Sequence, residues 1–458
     1  EMKWKKAISL FLVLAMSLTL LAGCSGSGSK ESKQPQQSNA GTTESQKPDD
    51  SQAPAEKIKI GVLLPLSGSA SYYGGVQLDG IKFCVDYVNE TLGGIASMNG
   101  AKLELVVQDT ASAPETGVSA FEKLVEEGVT AVIGPYSSTV GAATAPLAIQ
   151  YEVPYVLVNC TSENFMNVEN KYVYRTNMGS SDNQNMWGVV IDYLNSIRPD
   201  NPTDRIAIVY DSGDWGTTSV NSWKNMAPKM GCEIVISEAV SESSTDLSTL
   251  VNKIKTSDID LVVVAAFSAA TNLLVKQMAE YECGSTIVGL GGGVGDIEFI
   301  QNCGSASEDV LYAAPWLPKY GGGSDMANEM NAKFAGIYGY DMTMEPSWGW
   351  LGMATIADAI NRAGSADREA VADALYVTDF WKEDDDPSND WIMMFSGYEG
   401  MHFATEGQHK EVYTGGVRYN NNDRVGEMCG YVIVQVQDSK WTVVYPESYN
   451  GDQTTIHY

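Results

Sequence analysis

The stretch Lys57-Ile58-Lys59-Ile60-Gly61-Val62-Leu63-Leu64 decides the fold class of this chain. It opens with alternation and closes as a continuous apolar run, the pattern of a strand buried on both faces within a parallel sheet. Beyond it, Val76, Gly80, Cys84 and Val88 recur at i, i+4 spacing and predict a helix. Residues 103–108 read as the next strand and 114–127 as a helix with Pro114 near its start. A third strand over 131–133, a helix over about 138–151 and a strand over 155–159 follow. Repeated β-α units of this length imply a parallel sheet with helices on both faces.

From Tyr172 the pattern restarts. Residues 206–210, 233–237, 261–266 and 286–290 read as strands, separated by helical stretches containing Trp223, Leu250 and Leu274. Two successive α/β sheets are expected. Helices follow at 324–338, 346–362 and 367–375, the last with an acidic first turn, then a β-rich tail with strands at 431–436 and 441–444. Lys382-Glu383-Asp384-Asp385-Asp386-Pro387 reads as a solvated loop, since it lacks the spaced ligands and turn glycine of an EF-hand.

Upstream of the first strand the chain changes character. Lys3, Lys5 and Lys6 precede an apolar run from Ala7 to Leu20, then Leu21-Ala22-Gly23-Cys24, which together read as a secretory signal. The run is short for a bilayer span. Residues 25–56 are rich in Ser, Gly, Gln, Pro and Thr without apolar periodicity, the composition of a flexible tether. No later stretch is apolar enough to span a membrane, so the body is expected outside the cell and soluble apart from its anchor.

Lys plus Arg number 29 against 58 Asp plus Glu, a formal charge of −29, and a surface that acidic repels phosphate backbones and argues against nucleic-acid binding. The three histidines, His402, His409 and His457, all fall in the final stretch, which leaves little for a histidine-based triad or metal site. Cys84, Cys160, Cys232, Cys283, Cys303 and Cys429 have no metal-like spacing, and the sequence leaves disulfides and buried thiols equally open.

In open parallel sheets, ligands bind beyond the carboxyl ends of the strands. The residues at those ends here are 66–74, 134–138, 159–162, 210–216 and 289–296, which carry Ser, Thr, Tyr, Trp and Gly. Hydroxyls and amides at helix starts, faced by aromatics, suit a small carboxylate with an apolar body. Read singly, each such residue is also an ordinary cap or turn former; five such loops weigh jointly for a site. The glycine run from Gly289 places Val294 where the last glycine of a dinucleotide loop belongs, and no Lys-Ser or Lys-Thr follows. No G-x-S-x-G or H-E-x-x-H occurs.

From Lys57 to about Pro446 the chain resembles the type I substrate-binding proteins of ABC importers, in their leucine/isoleucine/valine-binding branch. The residues that carry the resemblance are Ile60-Gly61-Val62-Leu63-Leu64-Pro65-Leu66-Ser67-Gly68, Val132-Ile133-Gly134-Pro135-Tyr136-Ser137-Ser138, Tyr174-Arg175-Thr176 and Ile206-Ala207-Ile208-Val209-Tyr210-Asp211. Glu345, Ala357-Asp358-Ala359-Ile360, Arg362-Ala363-Gly364 and Gln435-Val436-Gln437-Asp438 extend it. Leu21-Ala22-Gly23-Cys24 resembles the lipobox of bacterial lipoproteins, which makes Cys24 the lipidated residue.

The resemblance implies two doubly wound parallel-sheet lobes joined by a hinge with several crossovers. It divides the chain into a signal peptide (1–24), a tether (25–56), a first lobe (57–178 plus about 313–378) and a second (179–312 plus about 379–458). It gives Ser138 and Thr161 contacts to an amino-acid head group, Tyr73 and Tyr136 a place in the first lobe's wall, and Trp215 and Phe267 a place in the second's. The family usually carries an acid in the loop matching 289–295 to pair with the ligand ammonium; here Gly291 and Gly292 stand there. Either Asp211, Asp214 or Asp296 substitutes, or the ligand has no cationic group. The family's frequent disulfide between the loops near Asp109 and Ser137 has no cysteines here.

The function expected is a lipid-anchored solute receptor on the outer face of a bacterial cell membrane. It closes on a small amino acid, branched-chain or otherwise hydrophobic, or on a related amide or carboxylate, and hands it to an ABC permease with its ATPase subunits. No cofactor, metal or nucleic acid is expected, nor catalysis, which would need a perturbed acid/base pair or nucleophile in the cleft. A sensory receptor signalling to a membrane partner is the alternative that the fold does not separate.

Overall fold

The computed structural model describes residues 57–177, 179–180, 183–314, 325–381, 390–396, 400–403, 412–413, 416–417 and 432–445. The signal, Cys24, the tether, the acidic segment 382–387, Cys429, His409 and His457 lie outside them.

The first sheet is built from β1 (Ile58–Leu64), β2 (Leu103–Asp109), β3 (Ala131–Pro135), β4 (Tyr155–Val158) and β5 (Val173–Arg175) in the order β2-β1-β3-β4-β5. Every pairing is parallel, with Ile60 opposite both Leu105 and Ala131. The connecting helices are α1 (Ser71–Asp86), α2 (Pro114–Glu126) and α3 (Ser138–Gln150). Because helices cover both faces, Ile60, Val62, Leu63 and Leu64 of β1 are all buried, which is why that strand shows no full alternation.

The chain then crosses to a second sheet through α4 (Asn183–Ile197) and continues as β6 (Arg205–Asp211), α5 (Asp214–Met226), β7 (Glu233–Val240), α6 (Ser248–Thr256), β8 (Leu261–Ala265), α7 (Ser268–Glu280), β9 (Thr286–Gly289), α8 (Phe299–Cys303) and β10 (Leu311–Ala314). It returns to the first sheet as α9 (Asp325–Tyr338), α10 (Met344–Ala363) and α11 (Arg368–Tyr376), with the short strands β11 (Asp379–Trp381) and β12 (Gly400–His402). After the two-residue strands β13 (Val412–Tyr413) and β14 (Gly416–Val417), β15 (Val432–Gln437) and β16 (Lys440–Tyr445) complete the second sheet, ordered β16-β15-β10-β9-β8-β6-β7. Its first five strands in sequence run parallel and the last two antiparallel, so the β-rich tail is the closing edge of that sheet.

The expected boundary near residue 378 moves. Trp391 and Phe395 pack on Trp350 of α10, with ring centroids 6.4 and 5.0 Å away, and Phe403 lies 5.0 Å from Tyr174 beside β5. Residues 390–396 and 400–403 therefore belong with the first sheet, and of the described tail only β15 and β16 join the second. Aromatic packing between elements far apart in sequence sets this assignment, and a local pattern does not register it.

The first turn of α10 lies against α1 at backbone contact. A Cβ placed on Gly80 would stand 1.9 Å from the Pro346 carbonyl oxygen, and one on Gly349 would stand 2.4 Å from that of Gln77. Only glycine permits this approach. Gly352 in turn lies against Val158 of β4 and Ile133 of β3, so α10 is fastened to the first lobe along two faces. Cys84, Cys160, Cys232, Cys283 and Cys303 are free thiols, all but Cys283 buried. Among the described residues no helix is long and apolar enough to cross a membrane.

Candidate functional site

The carboxyl ends of the two sheets face each other across a cavity of about 260 Å³. Six of the expected site residues line it: Tyr136, Ser138 and Thr161 from the first lobe, Asp211, Trp215 and Phe267 from the second.

Ser138 opens α3, behind Ser137 in extended backbone (φ −72°, ψ 125°). The amides of a first helical turn have no intrahelical acceptor and lie at the positive end of the helix dipole, so the Ser137-Ser138-Thr139 turn presents donors to the cavity. Thr161 follows β4; its Oγ1 accepts from Ser180 Oγ at 3.2 Å, and Ser138 Oγ accepts from the Ser162 amide at 3.3 Å. The fully buried Arg175 holds this loop, its Nη1 donating to the carbonyls of Cys160 (3.1 Å) and Ser162 (2.8 Å).

The opposite wall sets aromatic rings beside the Asp211-Ser212-Gly213 turn. Trp215 and Phe267 lie 5.0 Å apart, and Phe267 lies 6.2 Å from Tyr136 across the cleft. Met344 and Trp348 of α10, with Leu290, extend the wall. Tyr73 stands behind Tyr136, stacked on it at 4.9 Å, and does not line the cavity itself. Its hydroxyl instead reaches the second lobe, 2.6 Å from Ser268 Oγ.

The three expected acids divide. Asp211 lines the cavity, with burial raising its pKa and the Gly213 and Ser212 amides pulling it back. Asp214 and Asp296 do not line it. Asp214 Oδ1 accepts from Asn164 Nδ2 at 3.1 Å, and Asp296 takes the Ser268 hydroxyl at 2.8 Å and the Glu298 amide at 2.8 Å. Each is consumed by local geometry that a strand-end position does not reveal.

Sequence reasoning quoted Glu345 only as part of the family resemblance and gave it no place in the site. It is 4% exposed, lines the cavity from the first turn of α10, and accepts hydrogen bonds of 3.2 Å from Gln77 Nε2 and from Asn159 Nδ2. Burial pushes its pKa up to about 8; the Gln77 bond opposes the shift and the charge of Asp296 adds to it. Its sequence neighbours give no sign of this, because the burial comes from the close approach of α10 to α1.

Gly291 and Gly292 also line the cavity, with φ of +82° and +53°. A Cβ at Gly292 would stand 2.6 Å from Trp215 Cη2 and 2.8 Å from the Ala266 carbonyl oxygen. Trp215 therefore occupies the volume that a side chain from position 292 would need. Asp109 ties the loop after β1 to the end of β2: its carboxylate accepts from the Leu66, Ser67 and Ala111 amides and from Ser67 Oγ at 2.6 to 3.2 Å. Burial works to raise its pKa, and these bonds outweigh it and leave the carboxyl below its ordinary value.

Two α/β lobes closing over a cavity at their strand ends define a class of binding protein, and the sequence profile for periplasmic binding proteins matches residues 57–440. The chain belongs to that family. It is 28% identical over 333 residues to the leucine-, isoleucine-, valine-, threonine- and alanine-binding protein of Pseudomonas aeruginosa, covering 71% of this chain and 84% of that protein. Its fold matches the branched-chain amino acid transporter substrate binding protein LivJ of Streptococcus pneumoniae, solved with isoleucine, at a TM-score of 0.68 and 19% identity, over 85% of this chain and all of that one. It also matches a solute binding protein of an ABC transporter from Rhodopseudomonas palustris, solved with 3,4-dihydroxybenzoic acid, at 0.66 and 18% identity, over 84% and 95% of the two chains.

Proposed function

We propose that this chain is the extracellular receptor of an ABC importer, tethered by a lipid on Cys24, that encloses a small amino acid or a related amide or carboxylate and delivers it to a membrane permease. One observation carries the reading: the cavity has hydroxyl and amide donors at one end, from Ser138 and Thr161, and the aromatic wall of Trp215 and Phe267 at the other. Such a site orients a solute with one polar end and an apolar body, and needs no chemical step. Relatives that bind branched-chain amino acids, and a neighbour holding a hydroxylated benzoate, support that ligand shape.

A thermal-shift screen over amino acids, amides, urea and aromatic acids tests the solute reading, because a ligand bound only by the folded state raises its melting temperature. A screen with no positive shift refutes it. Cys24→Ala tests the anchor: the protein is expected to leave the membrane fraction, and an unchanged distribution removes the lipid from the proposal. Uptake of the identified solute, lost on deleting the chain, favours transport; uptake retained while a transcriptional response is lost favours the sensory alternative.

A further inference from the structure

The cavity contains one deeply buried acid that the head-group and aromatic contacts leave without a role. Glu345 is fully enclosed apart from its cavity side, and among the described residues no lysine or arginine pairs with it. A carboxyl buried in this way is costly to ionise unless a cation pairs with it, and a bound ligand can bring one.

Its position defines that ligand. Asn159 Nδ2 ties Glu345 to the end of β4, two residues before Thr161, so the acid and the head-group hydroxyls adjoin on the same lobe. Facing it across the cleft is the loop of Gly291, whose Cβ direction ends 3.6 Å from Cε of Met344, the neighbour of Glu345 in sequence. At positions 291 and 292 the second lobe offers no side chain, and Trp215 fills the space at Gly292, so the acid at this point of the cavity comes from α10. Asp211 is the other cavity acid, but it is only partly buried and its carboxylate is already turned onto the Gly213 amide at 2.8 Å.

We propose that Glu345 is the carboxylate that receives the ligand's ammonium, and that the site takes an α-amino acid whose two charged groups, borne by one carbon, are both held by the first lobe. The inference rests on the solute-binding reading above and narrows it. In the empty site the Glu345 carboxyl holds its proton, since burial and the nearby Asp296 charge both disfavour the anion. The phenols that also face it, Tyr72, Tyr73, Tyr136 and Tyr312, are raised above their ordinary pKa by burial and stay neutral. Binding then exchanges the Glu345 proton for the ligand ammonium: neutral acid plus cation becomes an ion pair, and one proton passes to solvent.

The test pairs L-leucine, L-isoleucine and L-alanine with 4-methylpentanoate, the leucine analogue lacking nitrogen, by calorimetry at pH 7 in two buffers of different ionisation enthalpy. Wild-type protein is expected to prefer an amino acid over its nitrogen-free analogue and to release a proton on binding it but not the analogue. Glu345→Gln is expected to lose at least about tenfold in amino-acid affinity, to keep the analogue, and to release no proton. Retained amino-acid affinity in Glu345→Gln, binding without proton release, or collapse of the preference in Asp211→Asn in its place overturns the inference. Binding of 3,4-dihydroxybenzoate or a neutral amide with no response to the amino acids also overturns it, yet leaves the solute-binding reading standing; no binding in the whole screen removes both. Should Glu345→Gln fail to fold, proton release by the wild type decides alone.

Discussion

The hydroxyl of Tyr73, in the first lobe, lies 2.6 Å from Oγ of Ser268 in the second, and the Ser268 hydroxyl in turn donates a hydrogen bond to the Asp296 carboxylate at 2.8 Å. This buried chain joins the lobes beside the cavity and outside it. It is made only when they are together, as is the neighbouring bond from the Ile297 amide to the Tyr72 hydroxyl, 2.9 Å long.

Tyr73→Phe removes the link and keeps the ring that stacks on Tyr136. A hydrogen bond of this kind contributes a net ~0.5–1.5 kcal/mol, so ligand affinity is expected to fall about twofold to tenfold through faster dissociation. Stopped-flow release of the identified ligand measures this; an unchanged dissociation rate means the bond does not hold the closed form.

Ser138→Ala and Thr161→Ala each take a hydroxyl from the head-group end. Hydrogen bonds to a charged group are worth ~1.5–3 kcal/mol, so each change is expected to cost about tenfold to a hundredfold in affinity, together with some loss of stability in the ligand-free protein because the Ser162 amide or the Ser180 hydroxyl loses its acceptor. Calorimetry on both variants checks it, and wild-type affinity in either removes that residue from the site.

Glu345 gives the empty protein a pH signature. Its folded pKa of about 8 lies above that of an unfolded glutamate, so between those values the folded state binds more protons and stability falls as pH rises. The slope from this group approaches ~1.4 kcal/mol per pH unit inside the window and vanishes above pH 8. Asp109, with its lowered pKa, acts in the opposite sense at acid pH, so the quantity to measure is the difference between wild type and Glu345→Gln in denaturant melts from pH 5 to 8. Parallel curves would place Glu345 in contact with water.

Gly292→Ala sets a methyl against Trp215 and the Ala266 carbonyl at positive φ, whereas Gly291→Ala meets only Met344 Cε at 3.6 Å and carries the backbone strain alone. Both variants are expected to melt below wild type, with Gly292→Ala lower by a further ~1–3 kcal/mol because overpacking adds to strain. Equal melting would mean that Trp215 yields its place without cost.

The local periodicities were sufficient for most elements. β1, α2, α3 and, apart from β10, the strands of the second sheet lie within a few residues of their expected positions, because buried parallel strands and amphipathic helices write their environment into adjacent residues. Of the short strands, β4 and β9 stood out because each follows a helical stretch in the repeating β-α order, whereas β5 and β10, of three and four residues, lie where that order breaks as the chain leaves each sheet. α10 begins at Met344, two residues ahead of the expected start, since Pro346 in the first turn lacks only an amide that needs no intrahelical partner. At the site, residues on strand-end loops were legible as a group, and what their side chains bind was not. Asp214 and Asp296 stand where an acid was sought and face away from the cavity, while Glu345 enters it from a helix whose approach depends on Gly80 and Gly349.

That helix contact also fixes an order of events. With α10 fastened to α1, β3 and β4, the acid travels with Ser138 and Thr161 when the lobes part, and the aromatic pair of Trp215 and Phe267 departs with the other half. On the proposed reading, an incoming solute meets Ser138, Thr161 and Glu345 at first encounter, and its hydrocarbon portion is sized only afterwards, as the far wall arrives with Asp211 and Ser212. Charge is read at the door; bulk is read by whether the door can shut.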